Sequence, residues 1–463
     1  MWKYFKYFTI SLSLNFLFSA QVLSADCIEV NGDTKTISTS CTDLDITGDS
    51  SNVTINSGVT IDERGGGSWT AIGLSDTTNT TITNNGTIST TQNWTLRNNG
   101  TSAITNLTNK GTISAGSASA IRNNGSITAL TNTGTISATG DNGIKNNTTG
   151  TIGDITNSGT ISANRYGLRN GGTITTISNS GTISADSNYA ISNTGSIGTF
   201  TNTGSITPTG NTGISNQGSI TIFNNSQGKS GSNPVTFIKS LPTYYNVIVN
   251  STSDYGQIEF SSISGNTSLN FGIHSTSTLA EDTYSSVITG LSSSNISSGT
   301  SGTYSNSNAC ADVNAATATF SSNCAELDIS GDSSDITINS GVTISGVGDY
   351  DWTLNNSSGT TWDLVSTAQL DDAVNTGTNT SLNNLGTITA VATGANGILN
   401  QGTFTTLTNR GVVTSDSAYG INNTGTITTL NNLQGASSSA LTYDGKLPTN
   451  YNVIVNSTSD FGT

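Results

Sequence analysis

Histidine and methionine each occur once in the 463 residues, and proline and cysteine 4 times each. With His274 as the sole imidazole, no paired-histidine metal site can form, and a nucleophile that needs a histidine base has one place to find it. Only 9% of residues are charged, and the net charge of -15 leaves no excess of cations to neutralise phosphates, which excludes a general nucleic-acid binder. Beyond the first 25 residues no apolar run is long enough to cross a bilayer as a helix. What fills the chain is Thr, Ser, Asn and Ile with 52 Gly. This is a β-compatible composition punctuated by turn formers. Disorder would require scattered apolar residues, whereas here they recur in register.

The register is set by one phrase, Asn-x-Gly-(Thr/Ser)-Ile, whose glycines are Gly111, Gly125, Gly134, Gly150 (with Thr148 in the asparagine's place), Gly159, Gly172, Gly181, Gly195, Gly204 and Gly218. Gaps of nine residues alternate with gaps of thirteen to sixteen, so two phrases make a period of 22 to 25 residues. Such a period signals a solenoid. In Gly134 to Ala138, Ile136 and Ala138 lie two apart and face inward while Thr135 and Ser137 face water. The glycine is expected to supply the positive φ of a corner. The asparagines fall in two columns, Asn132, Asn157, Asn179 and Asn202 in one and Asn123, Asn170, Asn193 and Asn216 in the other. Stacked amides of this kind hydrogen-bond along the column. Short strands, corners and period specify an all-β parallel β-helix. The Leu framework of leucine-rich repeats and the six-residue period of left-handed hexapeptide helices are missing. Six rungs from 81 to 225 predict a rod roughly 30 Å long.

The flanks read as follows. Residues 1–25 form an export signal, with Lys3 and Lys6 ahead of an apolar stretch from Ile10 to Phe18 and a processing site ending at Ala25. Asp26 stands where a lipoprotein would place its cysteine, so the mature chain is expected to be exported without a lipid. Cys27 and Cys41 are 14 apart, as are Cys310 and Cys324. Two local disulfides are expected in an oxidising compartment, since the spacings and histidines of zinc sites are lacking. Residues 26–80 are read as a disulfide-closed cap with the first rungs, 81–230 as the β-helix, and 231–309 as a closing module with a Ser/Gly-rich linker from Ser292 to Asn308. Trp69 and Trp94 fall between cap and repeat and receive no role. At Cys310 the chain starts again. Leu327 to Ile344 repeats Leu44 to Ile61, and Leu447 to Gly462 repeats Leu241 to Gly256. The offset falls from 283 to 206, as if three rungs had been lost. Residues 310–380 are then a second cap and 381–463 a second, shorter helix that stops within a module.

Signal, cysteine-closed cap and Asn-x-Gly-Thr-Ile rungs together resemble the passenger regions of bacterial autotransporters, the type V secretion proteins. The resemblance implies a right-handed parallel β-helix displayed at the cell surface, adhesion as a common role, and an outer-membrane translocator β-barrel in the full-length parent. Nothing after Gly425 has the ten-residue alternating strands of such a barrel.

Chemistry is sparse. Gly48-Asp49-Ser50-Ser51 and its copy at Gly331 to Ser334 look like a serine-protease turn, but each sits in a cap. Asp141, Asp154 and Asp186 do not share a column, as the paired carboxylates of a glycosidase must. Asp45 and Asp49, and Asp328, Asp332 and Asp335, lack the Gly-Gly-x-Gly-x-Asp framework of calcium rungs. No catalytic residue, metal or cofactor is expected. Arg97, Arg122, Lys145 and Arg169 are different, occupying one place in four successive rungs at spacings of 25, 23 and 24. They are expected to form an outward ladder on an otherwise acidic protein, a contact for an acidic glycan or surface polysaccharide if they are not merely solvated. The expectation is therefore a surface protein, adhesin-like or structural, with a β-helical carbohydrate-active enzyme and a pure spacer as the alternatives.

Overall fold

The computed structural model describes residues 26–63, 70–210, 212–231, 233–306, 308–346, 348–368 and 373–463. The export signal read at 1–25 lies outside the described residues, as does Trp69. The fold is an all-β parallel solenoid, with one short 3₁₀ turn at Ser293–Asn295 among the described residues.

One rung shows how the sequence makes the coil. Ser126–Asn132, Thr135–Ala138 and Asn142–Asn146 are three short strands separated by corners. Ile127, Leu130, Ile136, Ala138 and Ile144 point inward and are buried. Each rung stacks on the next in parallel with like above like: Ile113 pairs with Ile136, and Ile136 with Ile161. Burying each such side chain contributes on the order of 2 kcal/mol. That gain is available only when rungs lie above and below, so the rung stabilises the stack and not itself.

The phrase around each glycine now has a physical reading. Asn84, Asn109, Asn132, Asn157, Asn179, Asn202 and Asn225 form one amide ladder, each Nδ2 donating to the Oδ1 of the next asparagine at 2.7 to 3.0 Å. Asn98, Asn123, Asn146, Asn170, Asn193 and Asn216 form a second, at 2.7 to 2.9 Å. Both predicted columns are present and longer than expected, with Asn146 among the added members. The same amides donate to corner carbonyls, as Asn132 does to those of Gly134 and Thr160, so these fully buried side chains find partners along the ladder, and only the Oδ1 of Asn98, first in the second ladder, lacks a donor among the ladder amides.

The phrase glycines require a correction. None of them has positive φ. Gly111, Gly134, Gly159, Gly181 and Gly204 stack so closely that a Cβ on each would overlap the carbonyl oxygen of the glycine one rung earlier. Glycine is demanded by that approach between rungs. Positive φ occurs instead at cap corners such as Gly48, Gly58, Gly331 and Gly341.

The coil also outlasts its phrase. The face carrying Ser126–Asn132 is a 12-stranded sheet running from Thr34–Ile37 to Ile296–Ser298, about 50 Å at the strand spacing and not the roughly 30 Å expected from the phrase. Aromatic residues take over an isoleucine column from Phe200 onward, where Phe200 stacks on Ile177: Phe200 lies 5.1 Å from Phe223, Phe223 6.0 Å from Tyr245, and Tyr245 6.1 Å from Phe271. The 8-stranded face stops at Ser205–Pro208, where Gln227 closes it. Its Oε1 accepts the Ile206 N–H at 2.7 Å and its Nε2 donates to the Ile206 carbonyl at 3.2 Å, standing in for the backbone of a further strand. Gln434 does the same for Val413 in the second coil.

The stretch read as a linker is structured. Ile296–Ser298 stacks on Leu269–Ile273, and Ser301–Ser305 pairs antiparallel with Asp349–Asn356. The latter belongs to a hairpin completed by Thr361–Ala368, which itself pairs antiparallel with Asp282–Thr289 of the first coil. Trp362 Nε1 donates to the Leu291 carbonyl at 2.7 Å, and Trp352 meets Phe271 edge to face at 5.7 Å. The hairpin thus closes the end of the first coil with a segment of the second. The second coil has faces of 6, 6 and 3 strands. Disulfides Cys27–Cys41 and Cys310–Cys324 close the two caps, and no free cysteine remains. Two such bridges indicate an oxidising, extracytoplasmic environment. No helix among the described residues is long and apolar enough to cross a membrane.

Candidate functional site

The four cations expected in one column stand in register on one sheet. Arg97 pairs with Arg122, Arg122 with Lys145, and Lys145 with Arg169. Each follows an inward Leu or Ile and precedes a ladder asparagine, so strand alternation turns it outward. The column begins beyond Asp45 and Gly73 and ends at Ser192 and Ser215.

Unit charges about 5 Å apart repel by roughly 1 to 3 kcal/mol per step, depending on how far water is excluded. Two aromatic platforms offset this. The Arg122 guanidinium lies 4.0 Å and that of Arg97 5.2 Å from the Trp94 ring centroid. At the other end, Arg165 and Arg169 lie 5.0 and 5.8 Å from Tyr166, whose ring stacks on Tyr189 at 6.1 Å. Contacts of this type contribute about 0.5 to 2 kcal/mol each. The cations are half-buried. Burial, and then the charge of Arg97, lowers the Arg122 pKa; burial, and then Arg169, lowers that of Lys145, with Asp141 opposing. Asp141 is committed to Arg165 at 3.7 Å. None of Arg97, Arg122, Lys145 and Arg169 forms an ion pair with the described residues, and the buried Nε atoms of Arg97 and Arg122 have no acceptor among them. Two residues past Arg122 and Lys145, the half-buried Asn147 Nδ2 donates to Asn124 Oδ1.

The sequence missed the platforms. Trp94 precedes Arg97 by three residues and Tyr166 precedes Arg169 by three, a spacing that could have linked them. Nothing in the residue order alone brings Arg122 over a ring in the rung before it.

The remaining candidates are dispersed. Ser51 donates to the Thr47 carbonyl and Ser334 to that of Ser330, at 3.0 and 3.1 Å, as corner residues do. His274 follows the eleventh strand of the 12-stranded face and Ser51 precedes the second, about 40 Å away. The His274 Nδ1 meets Thr276 Oγ1 at 2.8 Å, and burial lowers its pKa. Asp49 accepts the Thr78 N–H at 3.1 Å, and Asp332 accepts Thr378 Oγ1 and Asn379 Nδ2 at 2.9 Å each, so these carboxylates tie corners to the next rung. Asp154 shares its column with Ala129 and Thr176, while Asp141 and Asp186 stand at corners. No protein-family model, curated protein or solved structure matches the chain.

Proposed function

We propose that this chain is the passenger region of an autotransporter, exported and displayed at the cell surface, adhesin-like in role and without catalytic chemistry of its own. The observation that carries the reading is a long parallel coil, closed by disulfides formed outside the cytoplasm, whose most distinctive surface is a cation column suited to binding and not to bond breaking. The dispersal of Asp141, Asp154 and Asp186 supports binding over the β-helical carbohydrate-active enzyme, which needs convergent carboxylates. The proposed parent carries an outer-membrane translocator barrel, and the partner is a glycan on a host or neighbouring cell.

The test is protease shaving of intact cells expressing the full reading frame, with antibody to the first coil. Loss of signal without lysis is expected; a chain protected until the outer membrane is opened would sink surface display. A purely structural spacer remains the second reading, favoured by the second coil, where the equivalent column is Asp328, Val374, Leu399, Asn422 and Asp444 and holds no cation.

A further inference from the structure

We infer that the basic column of the first coil is a binding face for a linear carboxylated polysaccharide lying along the coil axis. The inference deepens the adhesin-like reading by naming the ligand class. It rests on that reading only for its biological setting, since binding is measured on the purified full chain.

The geometry selects a linear ligand. Four cations one strand apart span about 14 Å in a line and do not converge on a point, so a small anion can satisfy one or two of them and an extended polyanion all four. The rings hold the guanidiniums in place: Trp94 under Arg97 and Arg122, Tyr166 under Arg165 and Arg169. Three of the four column cations, Arg97, Arg122 and Arg169, are therefore ordered before a ligand arrives, which lowers the entropic cost of engaging it. No carboxylate of the described residues forms an ion pair with the column, Asp141 acting on Lys145 only from beside Arg165, and guanidinium prefers planar carboxylate acceptors. The Asn124–Asn147 amide pair on one flank supplies donors and acceptors of the kind sugar hydroxyls use.

The same details disfavour nucleic acid. The rings that would stack bases already carry cations, and the protein beyond the column is acidic, with a net charge of -15. The second coil is an internal comparison. It keeps the ladders, with Asn375 donating to Asn400 at 2.7 Å and Asn384 to Asn409 at 2.9 Å, yet places Val374, Leu399 and Asn422 where the first coil has cations. The scaffold does not require the cations.

The experiment is a titration of the full chain with oligogalacturonates of increasing length, polygalacturonate, its methyl ester, and single-stranded DNA of matched charge. Affinity is expected to rise through the first few sugars and then level, the methyl ester to bind at least tenfold more weakly, and log affinity to fall with log salt at a slope of about -3, from four cations at about 0.7 each as for a single-stranded polyanion. Arg122→Gln with Arg169→Gln should weaken polygalacturonate binding at least tenfold, about 1.4 kcal/mol. Ser192→Arg, one step beyond Arg169, should tighten it and move the plateau to longer oligomers, which keeps the test decisive even if the glutamine variants are unstable. Equal binding of acid and ester, a plateau at the monosaccharide, DNA binding as tight as polygalacturonate, or indifference to both sets of substitutions would each overturn the inference. A chain that binds polygalacturonate yet resists shaving of intact cells would refute surface display and leave the ligand assignment standing.

Discussion

Replacing Asn157 by alanine tests the amide ladder at its centre. Asn157 is fully buried. Its Oδ1 accepts from Asn132 Nδ2 at 2.7 Å, and its Nδ2 donates to Asn179 Oδ1 at 2.7 Å and to the Thr182 and Gly159 carbonyls at 3.2 and 3.3 Å. Alanine removes two ladder bonds worth about 1 kcal/mol each, strands the Asn179 oxygen at about 1 to 3 kcal/mol, and leaves a small void. Asn132 keeps the Gly134 and Thr160 carbonyls and loses less. The sum is about 4 kcal/mol, concentrated in the rungs on either side. A solenoid need not unfold in one step, so the readout is hydrogen exchange at the amides of Thr151–Asn157 and Thr173–Asn179. These should lose protection by two to three orders of magnitude while the second coil is unchanged. Asn157→Asp keeps the shape and exchanges a donor for an acceptor. Its buried carboxyl is favoured when protonated, so this variant should be closer to wild type at pH 4 than at pH 8. The exposed Asn164→Ala is the control. If Asn157→Ala protects its rungs as well as Asn164→Ala does, the ladder is ornament and the argument fails.

The glycine correction predicts opposite tolerances: Gly159→Ala should cost about 3 kcal/mol through overlap with the Gly134 carbonyl. By contrast, Gly58→Asn, at φ 78° with open space around it, should cost under about 1 kcal/mol; thermal melts of both decide between close approach and positive φ. Glu326, buried at the root of the hairpin, accepts the Gly348 and Asp349 N–H groups at 3.1 and 2.7 Å, and burial first, with Asp328 and Asp349 adding, pushes its carboxyl up to about 7. Because the folded chain holds this proton more tightly than the unfolded one, the associated stability is fully present below about pH 4.5 and is lost as pH rises through about 7. It amounts to at most about 3 kcal/mol, and Glu326→Gln should flatten that part of a denaturation-versus-pH profile. Trp362→Ala should cost about 3 to 5 kcal/mol locally and open the hairpin to proteolysis, since Trp362 is buried and holds the Leu291 carbonyl.

What could be read from the sequence was whatever repeats at the rung period. Inward Ile136 and Ile161, the asparagine columns and the cations at Arg97 to Arg169 each recur at that interval, so stacking follows from counting, while the two cysteine pairs were legible from their shared spacing of 14. The role of Gly134 could not be counted out, because a residue's column does not say whether its missing Cβ serves a dihedral or a neighbour. The coil past Gly218 was hidden when Phe223, Tyr245 and Phe271 replaced isoleucine, and when strand intervals lengthened enough to break the phrase. In the hairpin, Tyr350, Trp352 and Leu354 alternate with exposed residues as a strand should, but the outer partners of its two strands, Ser301–Ser305 for Asp349–Asn356 and Asp282–Thr289 for Thr361–Ala368, lie far back in the chain and no local signal announces such pairings.

The duplication separates what the fold needs from what it carries. Both caps reproduce the same strands, the same corner glycines at Gly48 and Gly331, and the same left-handed serines at Ser50 and Ser333, each with φ 62°. The closing texts diverge in burial although not in wording. Leu241, Tyr245 and Val249 are core, whereas Leu447, Tyr451 and Val455 are 84, 48 and 66% exposed. The difference lies in what stacks beyond them: Ile258–Ile263 and Leu269–Ile273 cover the first copy, and among the described residues no strand occupies that place on the second. Burial in a solenoid is thus set by the next rung and not by the words of the present one. The cations obey a third rule. They are required neither by the rung, since Leu399 and Asn422 serve there, nor by the next rung, since Ser192 follows Arg169 without disturbing the sheet. A feature that the scaffold tolerates but does not need, that its own neighbours repel, and that rings are placed to steady is best explained by something outside the chain.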